Sequence, residues 1–283
     1  VASLEVTLQA ADGARLGATL FRPASPSSAN GACVQVNSAA GVKQEYYAPF
    51  AEYLASRGFA VLTYDYRGVG RSVDGHVRDM PARMRDWAVL DASCAFSFLE
   101  KNYKKIFVVA HSFGGQAVAV MPGNERITAA LAVGSQSCYW RLWRGGMRAG
   151  MWLLVRALLP GATKLWGYFP GALLRQGENL PPGVALEWAR WCRDPRYLVG
   201  ALGAEEQAAK VRSPYRLYCI SDDFYAPLPA AQALLDLIEN GKTEMRVVHP
   251  RELGVERIGH FGFFRERFRD TLWREAAEWL ERQ

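Results

Sequence analysis

Ser112 stands in Ala110-His111-Ser112-Phe113-Gly114-Gly115, a serine among small residues directly after the apolar run Ile106-Phe107-Val108-Val109. A serine hydroxyl is a poor nucleophile until a neutral imidazole takes its proton, and the imidazole works best when a carboxylate fixes its tautomer. Four histidines are available. His111 adjoins the serine with its side chain aimed elsewhere, His76 lies in a polar loop, and His249 ends a strand before Pro250, where it suits local pairing or capping. His260 sits between glycines and aromatics in Ile258-Gly259-His260-Phe261-Gly262 and is the candidate general base. The carboxylate comes from Ser221-Asp222-Asp223-Phe224-Tyr225-Ala226-Pro227, where Asp222 and Asp223 compete for the role. Together these residues point to acyl transfer through a covalent acyl-serine.

The spacing around Ser112 has a steric reason. A sharp strand-to-helix turn that exposes a nucleophile needs small residues two before and two after it, because larger side chains would meet neighbouring backbone. Ala110 and Gly114 meet that need, with a methyl group where glycine is usual. The oxyanion of an acyl-transfer intermediate requires two N–H donors. In such a turn the residue after the serine, Phe113, is expected to supply one, and the turn Asn37-Ser38-Ala39-Ala40-Gly41, after the strand Cys33–Val36, to supply the other.

These residues need elements to hold them. The opening alternates with period two, Leu4, Val6, Leu8 and then Leu16, Ala18, Leu20, across Asp12-Gly13, which predicts a hairpin. A loop rich in Ser, Pro, Ala and Asn follows from Pro23 to Gly31. Apolar runs at Cys33–Val36, Ala60–Tyr64, Ile106–Ala110, Ala129–Val133, Tyr215–Ile220 and Glu244–Val248 predict strands. Helical spacing fills the gaps: Tyr47 to Leu54, a longer helix from near Pro81 to Leu99, one after Ser112, one over Ala230–Ile238 and a C-terminal one from Phe264 to Arg282. Such alternation predicts an α/β fold with a mostly parallel central sheet of about eight strands flanked by helices. From Gln136 to Gln207 the rhythm breaks into helical pieces with six of the chain's nine tryptophans. This segment is expected to form a helical cap, 136–207, inserted into a core of 1–135 and 208–283. Most of its tryptophans are expected to pack the cap itself, and some to line an apolar pocket. Arg141, Arg144 and Arg148 fall on one helical face, expected to be solvated.

At Asp65-Tyr66-Arg67-Gly68-Val69-Gly70-Arg71-Ser72, at the Asp223-to-Pro227 offset and at Gly259-His260, the sequence resembles the α/β-hydrolase family, as does the chain order Ser, Asp, His. The resemblance covers essentially the whole chain, with the insertion where the family carries its lid. It implies the triad Ser112, Asp223 and His260, with Asp223 preferred over Asp222 because the family's acid lies four residues before the proline. Where the family commonly has His-Gly this chain has Asn37-Ser38. Pairing those makes Ala39 the second oxyanion donor, with Ala40 as the alternative. The late Gly259-His260-Phe261-Gly262-Phe263-Phe264 is similar to an uncharacterised bacterial subgroup, and Ala39-Ala40-Gly41 loosely resembles the corresponding turn of homoserine acetyltransferases.

The implied activity is a serine hydrolase cleaving a carboxylic ester of a small or medium acyl substrate. An acyltransferase or thioesterase using the same triad, a peptidase for short peptides and a non-catalytic ligand receptor on the scaffold are the alternatives. Serine at position 112 excludes the dehalogenase and epoxide-hydrolase chemistries, which want Asp there. Half of the 283 residues are hydrophobic and 22% are charged, which supports a large core. The net charge of +6 is scattered, so no nucleic-acid partner is expected, while a mild positive field suits anionic substrates. Five cysteines without a CxxC pair read as free thiols. With no signal-peptide pattern in the residues present and no long apolar span, a cytoplasmic location is expected. No HExxH, ligand cluster or GxGxxG continuation is present, so neither a metal nor a cofactor is expected. The oligomeric state is not legible.

Overall fold

Alternation along the strands decides which residues face which layer. In the computed structural model, which describes all residues but Pro26, Ser28 and 174–176, eight strands form one sheet. They are β1 (Ala2–Gln9), β2 (Arg15–Arg22), β3 (Ala32–Asn37), β4 (Ala60–Tyr64), β5 (Lys105–His111), β6 (Ala129–Val133), β7 (Pro214–Ile220) and β8 (Lys242–Val248). The parts of the Pro23–Gly31 loop and of the insertion that fall on the omitted positions lie outside the described residues. The order is β1-β2-β4-β3-β5-β6-β7-β8, antiparallel for β1, β2 and β4 and parallel from β4 through β8. The hairpin pairs Leu8 with Leu16, with Gly13 at φ +90° in its turn.

Cys33, Leu62, Val108, Ala110 and Ala132 face one layer, while Val34, Val36, Val61, Val109 and Leu131 face the other. The first layer holds α2 (84–100) and α3 (Phe113–Val120), and the second holds α1 (Ala48–Ser56) and the C-terminal helix. Buried on both sides, the central strands read as continuous apolar runs, as parallel strands should. Cys33 and Cys219 lie within this core.

The segment after β6 carries α4 (145–166), α5 (Pro182–Trp191), α6 (Tyr197–Leu202) and α7 (Glu205–Ala208). Within α4 the turn Leu154–Leu158 widens by one residue just before Pro160. A proline inside a helix lacks an N–H and crowds the carbonyl four residues back, and the wider turn relieves both. The segment's buried residues, among them Val184, Ala189 and Trp191, join the first layer's core. After β7 come α8 (Leu228–Leu235), the short α9 (Gly259–Gly262) and α10 (269–281). The C-terminal helix thus starts later than the Phe264 expected from sequence. Phe263, Phe264 and Phe268 are all buried, a set too wide for one helix stripe, and a separate turn at Glu266–Phe268 accommodates it.

The segment 65–72 is a folding device beside the site. Asp65 accepts from the Gln44 N–H at 2.8 Å, the Gln44 amide at 2.9 Å and the Arg71 N–H at 2.9 Å. A Cβ on Gly70 would lie 2.6 Å from the Asp65 carboxylate, which is why glycine is needed there. Arg67 reaches Asp91 at 2.6 Å and Asp12 at 2.5 Å, tying α2 to the hairpin turn.

Candidate active site

The chain reverses between β5 and α3 at Ser112, whose φ of 50° and ψ of −113° are unusual for a residue with a side chain. Its N–H donates to the Val133 carbonyl at 2.9 Å, and its carbonyl accepts from Gly115 at 3.1 Å. The glycines that follow are fixed by contact. A Cβ at Gly114 would lie 2.2 Å from the Asn37 carbonyl oxygen, and one at Gly115 would lie 2.3 Å from Ser135 Oγ. The site lies beyond the carboxyl ends of β3 and β5, where the strand order reverses direction, the usual crevice of such sheets.

His260 enters from α9. Its Nδ1 lies 2.6 Å from Asp223 Oδ2, with the Asp223 side chain fully buried. A carboxylate only accepts, so Nδ1 carries the proton and Nε2 keeps its lone pair. Asp223 Oδ1 accepts from the Tyr225 N–H at 2.8 Å and the Ala226 N–H at 3.3 Å. Asp222 is engaged elsewhere: it accepts the N–H groups of Ile258 and Gly259, both at 3.0 Å, and so holds the loop that presents His260. Between the two competing carboxylates, the structure brings Asp223 to the imidazole.

His111 turns to the opposite layer. Its Nε2 contacts the His260 carbonyl at 2.9 Å, and its Nδ1 contacts Tyr47 Oη at 2.8 Å. Because a carbonyl only accepts, Nε2 bears the proton and Nδ1 accepts from the tyrosine. Burial, and secondarily the neighbouring His260, hold the His111 pKa well below its ordinary value, and burial holds the Tyr47 phenol well above its own. Tyr47 Oη in turn accepts the Ala39 N–H at 2.9 Å. The sequence expectation named Ala39 as the second oxyanion donor and Ala40 as the alternative. An amide hydrogen makes one good bond, and that of Ala39 is committed to Tyr47, whereas Ala40 N–H has no partner among the described residues.

Ser112, Phe113, Ala39, Ala40 and His260 line one cavity of about 640 Å³. Its walls are mostly apolar, with Trp143, Trp166 and Trp188 from the insertion. The other tryptophans differ: Trp191 is fully buried, Trp140 packs against the core, and Trp152 is exposed. Arg141, Arg144 and Arg148 are exposed to solvent.

A family model described as the alpha/beta hydrolase family matches residues 37–271. The chain belongs to this family. Solved structures agree on the fold. An esterase of Pyrococcus furiosus matches with a TM-score of 0.63 and 16% identity, covering 99% of this chain and 91% of that one. An esterase from Exiguobacterium antarcticum gives 0.65 and 17%, covering 98% and 100%. A monoacylglycerol lipase of Paleococcus ferrophilus gives 0.60 and 16%, covering 94% and 98%. No curated protein matches the sequence significantly. Among the described residues, no helix of this α/β hydrolase is long and apolar enough to cross a membrane.

Sequence reasoning missed Gly134, at φ +56°, where a Cβ would come within 3.1 Å of Asp223 Oδ2 and 3.2 Å of His260 Nδ1. A glycine ending a strand beside the one that leads into Ser112 was the available signal. It also missed Tyr47, which the helix pattern marked only as a core position.

Proposed function

We propose that the protein is a serine hydrolase that cleaves a carboxylic ester through an acyl-enzyme, with Ser112, His260 and Asp223 as its triad. The observation that carries this reading is the 2.6 Å His260–Asp223 contact beside a backbone-strained Ser112 on the same cavity. Ser112 Oγ attacks the ester carbonyl while its proton passes to His260 Nε2, and Asp223 steadies the imidazolium. The N–H groups of Phe113 and Ala40 receive the oxyanion. Collapse expels the alcohol with the proton from His260. Water then attacks the acyl-serine, giving its proton to His260, and the acid departs as Ser112 regains its hydrogen. The segment 136–207 acts as the lid over a core of 1–135 and 208–283. Its last helices, α6 and α7, pack on α3 as core helices do.

A second reading, a thioesterase or acyltransferase, is favoured by one feature. A more polar recess along 255–267 shares His260 and Phe261 with the apolar cavity and is lined by Arg257, Arg265 and Arg267. A phosphorylated leaving group would suit those guanidinium groups.

Turnover of p-nitrophenyl esters of increasing acyl length, for the parent and Ser112→Ala, tests the proposal. The parent should show a burst and turnover with medium chains favoured over acetyl, and the variant should lose about 10⁴-fold or more. A parent that neither turns over any ester nor reacts with a fluorophosphonate probe refutes it and brings the ligand-receptor reading forward. Faster turnover of acyl-coenzyme A, diminished by Arg257→Gln, would favour the second reading.

A further inference from the structure

In the apolar cavity one chain of hydrogen bonds runs in a single direction and ends without an acceptor. Trp188 Nε1 donates to Tyr197 Oη at 3.0 Å, and the Tyr197 hydroxyl donates to Gln116 Oε1 at 2.9 Å. That fixes the Gln116 amide with its Nε2 toward Gln136 Oε1, 3.3 Å away, and toward Cys138 Sγ, 3.8 Å away. Gln136 therefore receives at its oxygen, and its own NH₂ is left as the last donor. Gln136 is 4% exposed, lines the cavity, and has no acceptor for that NH₂ among the described residues. Gln116, which orients it, is 2% exposed and lies on α3 one turn beyond Ser112.

The Gln136 NH₂ opens onto the cavity rather than being sealed off, so a ligand that excludes water there leaves it unpaired, at a cost, unless the ligand brings an acceptor. We infer that Gln136 reads an acceptor oxygen on the acyl chain, so that the substrate class is an apolar acyl group carrying a ketone or ether oxygen within its first several carbons. The inference rests on the ester-hydrolase reading for placing the scissile carbonyl at Ser112. Trp188, Tyr197 and Gln116 act behind Gln136 as positioning residues: they hold the amide's orientation and do not themselves meet the oxygen.

Methyl octanoate and its 3-oxo, 5-oxo and 7-oxo derivatives test the inference by two readouts: kcat/KM in the parent protein and affinity by calorimetry in Ser112→Ala. At least one oxo position should be preferred over the plain ester by roughly 10-fold or more in both readouts, the scale of one buried hydrogen bond. Gln136→Met should bring that ratio close to one. Gln136→Glu, which presents only acceptors when ionised, should shift the preference from the oxo ester to the matching hydroxy ester. Should either variant fold poorly, the ratio in the parent still decides. Equal turnover and affinity for plain and oxo esters at every position overturns the inference while leaving the hydrolase reading intact. Preferential binding of an oxo ester without turnover upholds the recognition and refutes the hydrolase reading.

Discussion

Asp222 and Asp223 are adjacent in sequence, yet different N–H groups meet them and give them different work. Asp223 holds the His260 ring, whereas Asp222 takes the two backbone N–H groups just before that ring. Asp222→Asn replaces one acceptor oxygen by an amide that faces an N–H. It should loosen the His260 loop, lowering kcat about 10-fold with little change in KM, in line with one lost charge-assisted bond. Unchanged phosphonylation and turnover rates in this variant would assign Asp222 a purely structural part. His111 carries a pH dependence of its own. With its folded pKa held below the ordinary 6.5 by burial and by His260, its neutral form stabilises the fold above pH 6.5. As pH falls below 6.5 the unfolded chain binds the proton that the folded one refuses, and stability falls by up to about 1.4 kcal/mol per pH unit. Urea melts from pH 7.5 to 5 should therefore slope more steeply for the parent than for His111→Gln, and parallel slopes would deny His111 this role.

The elements were largely legible because strand alternation and βα spacing are local signals. The turn at Ser112 was legible for the same reason, since the small residues at 110 and 114 flank the serine in sequence, although what forces glycine at 114 is the Asn37 carbonyl on another strand, 2.2 Å from where its Cβ would lie. What the sequence did not carry was partner choice across elements. Ala39 looked like an oxyanion donor, but Tyr47, which reaches it from the turn into α1, takes its N–H. The end of β6 shows the same limit, because only the fold brings Gly134 against Asp223 and His260. Gly134→Ala would place a methyl group about 3 Å from both and force a left-handed φ of 56° on alanine. We expect it to destabilise the protein by roughly 1–2 kcal/mol and to lower kcat, through a displaced imidazole, by more than the stability loss alone would. Parental kcat at a temperature where the variant is fully folded would show that the neighbours absorb the methyl group without moving the ring.

Across the whole molecule, one buried cation joins parts far apart in sequence. Arg67, after β4, binds Asp91 in α2 through its side chain and its own N–H, and it reaches Asp12 in the turn of the N-terminal hairpin. The 65–72 pattern therefore does structural work: it closes the antiparallel end of the sheet onto the layer that carries the helix after Ser112. Burial outweighs the attraction of Arg67 and lifts Asp91 to about 6. A raised acid stabilises the fold most below its unfolded value of 3.8 and loses that contribution as pH climbs through about 6, so it opposes His111 over the same range. Removing the charge altogether leaves Arg67 8% exposed with only the half-exposed Asp12 to balance it. Breaking a buried pair by deleting one partner costs about 3–5 kcal/mol. Asp91→Asn removes a charge that burial already disfavours but turns an NH₂ toward the Arg67 donors, so it should cost less than that range, about 1 kcal/mol, or a Tm lower by roughly 2 °C in a chain of this size. Calorimetry at pH 7 on the parent and Asp91→Asn measures it. Because Asp91 lies outside the cavity, KM for a p-nitrophenyl ester should stay at the parental value below the melting range. A variant as stable as the parent would mean that Asp12 alone neutralises Arg67, and the closure of the hairpin onto α2 would then rest on packing.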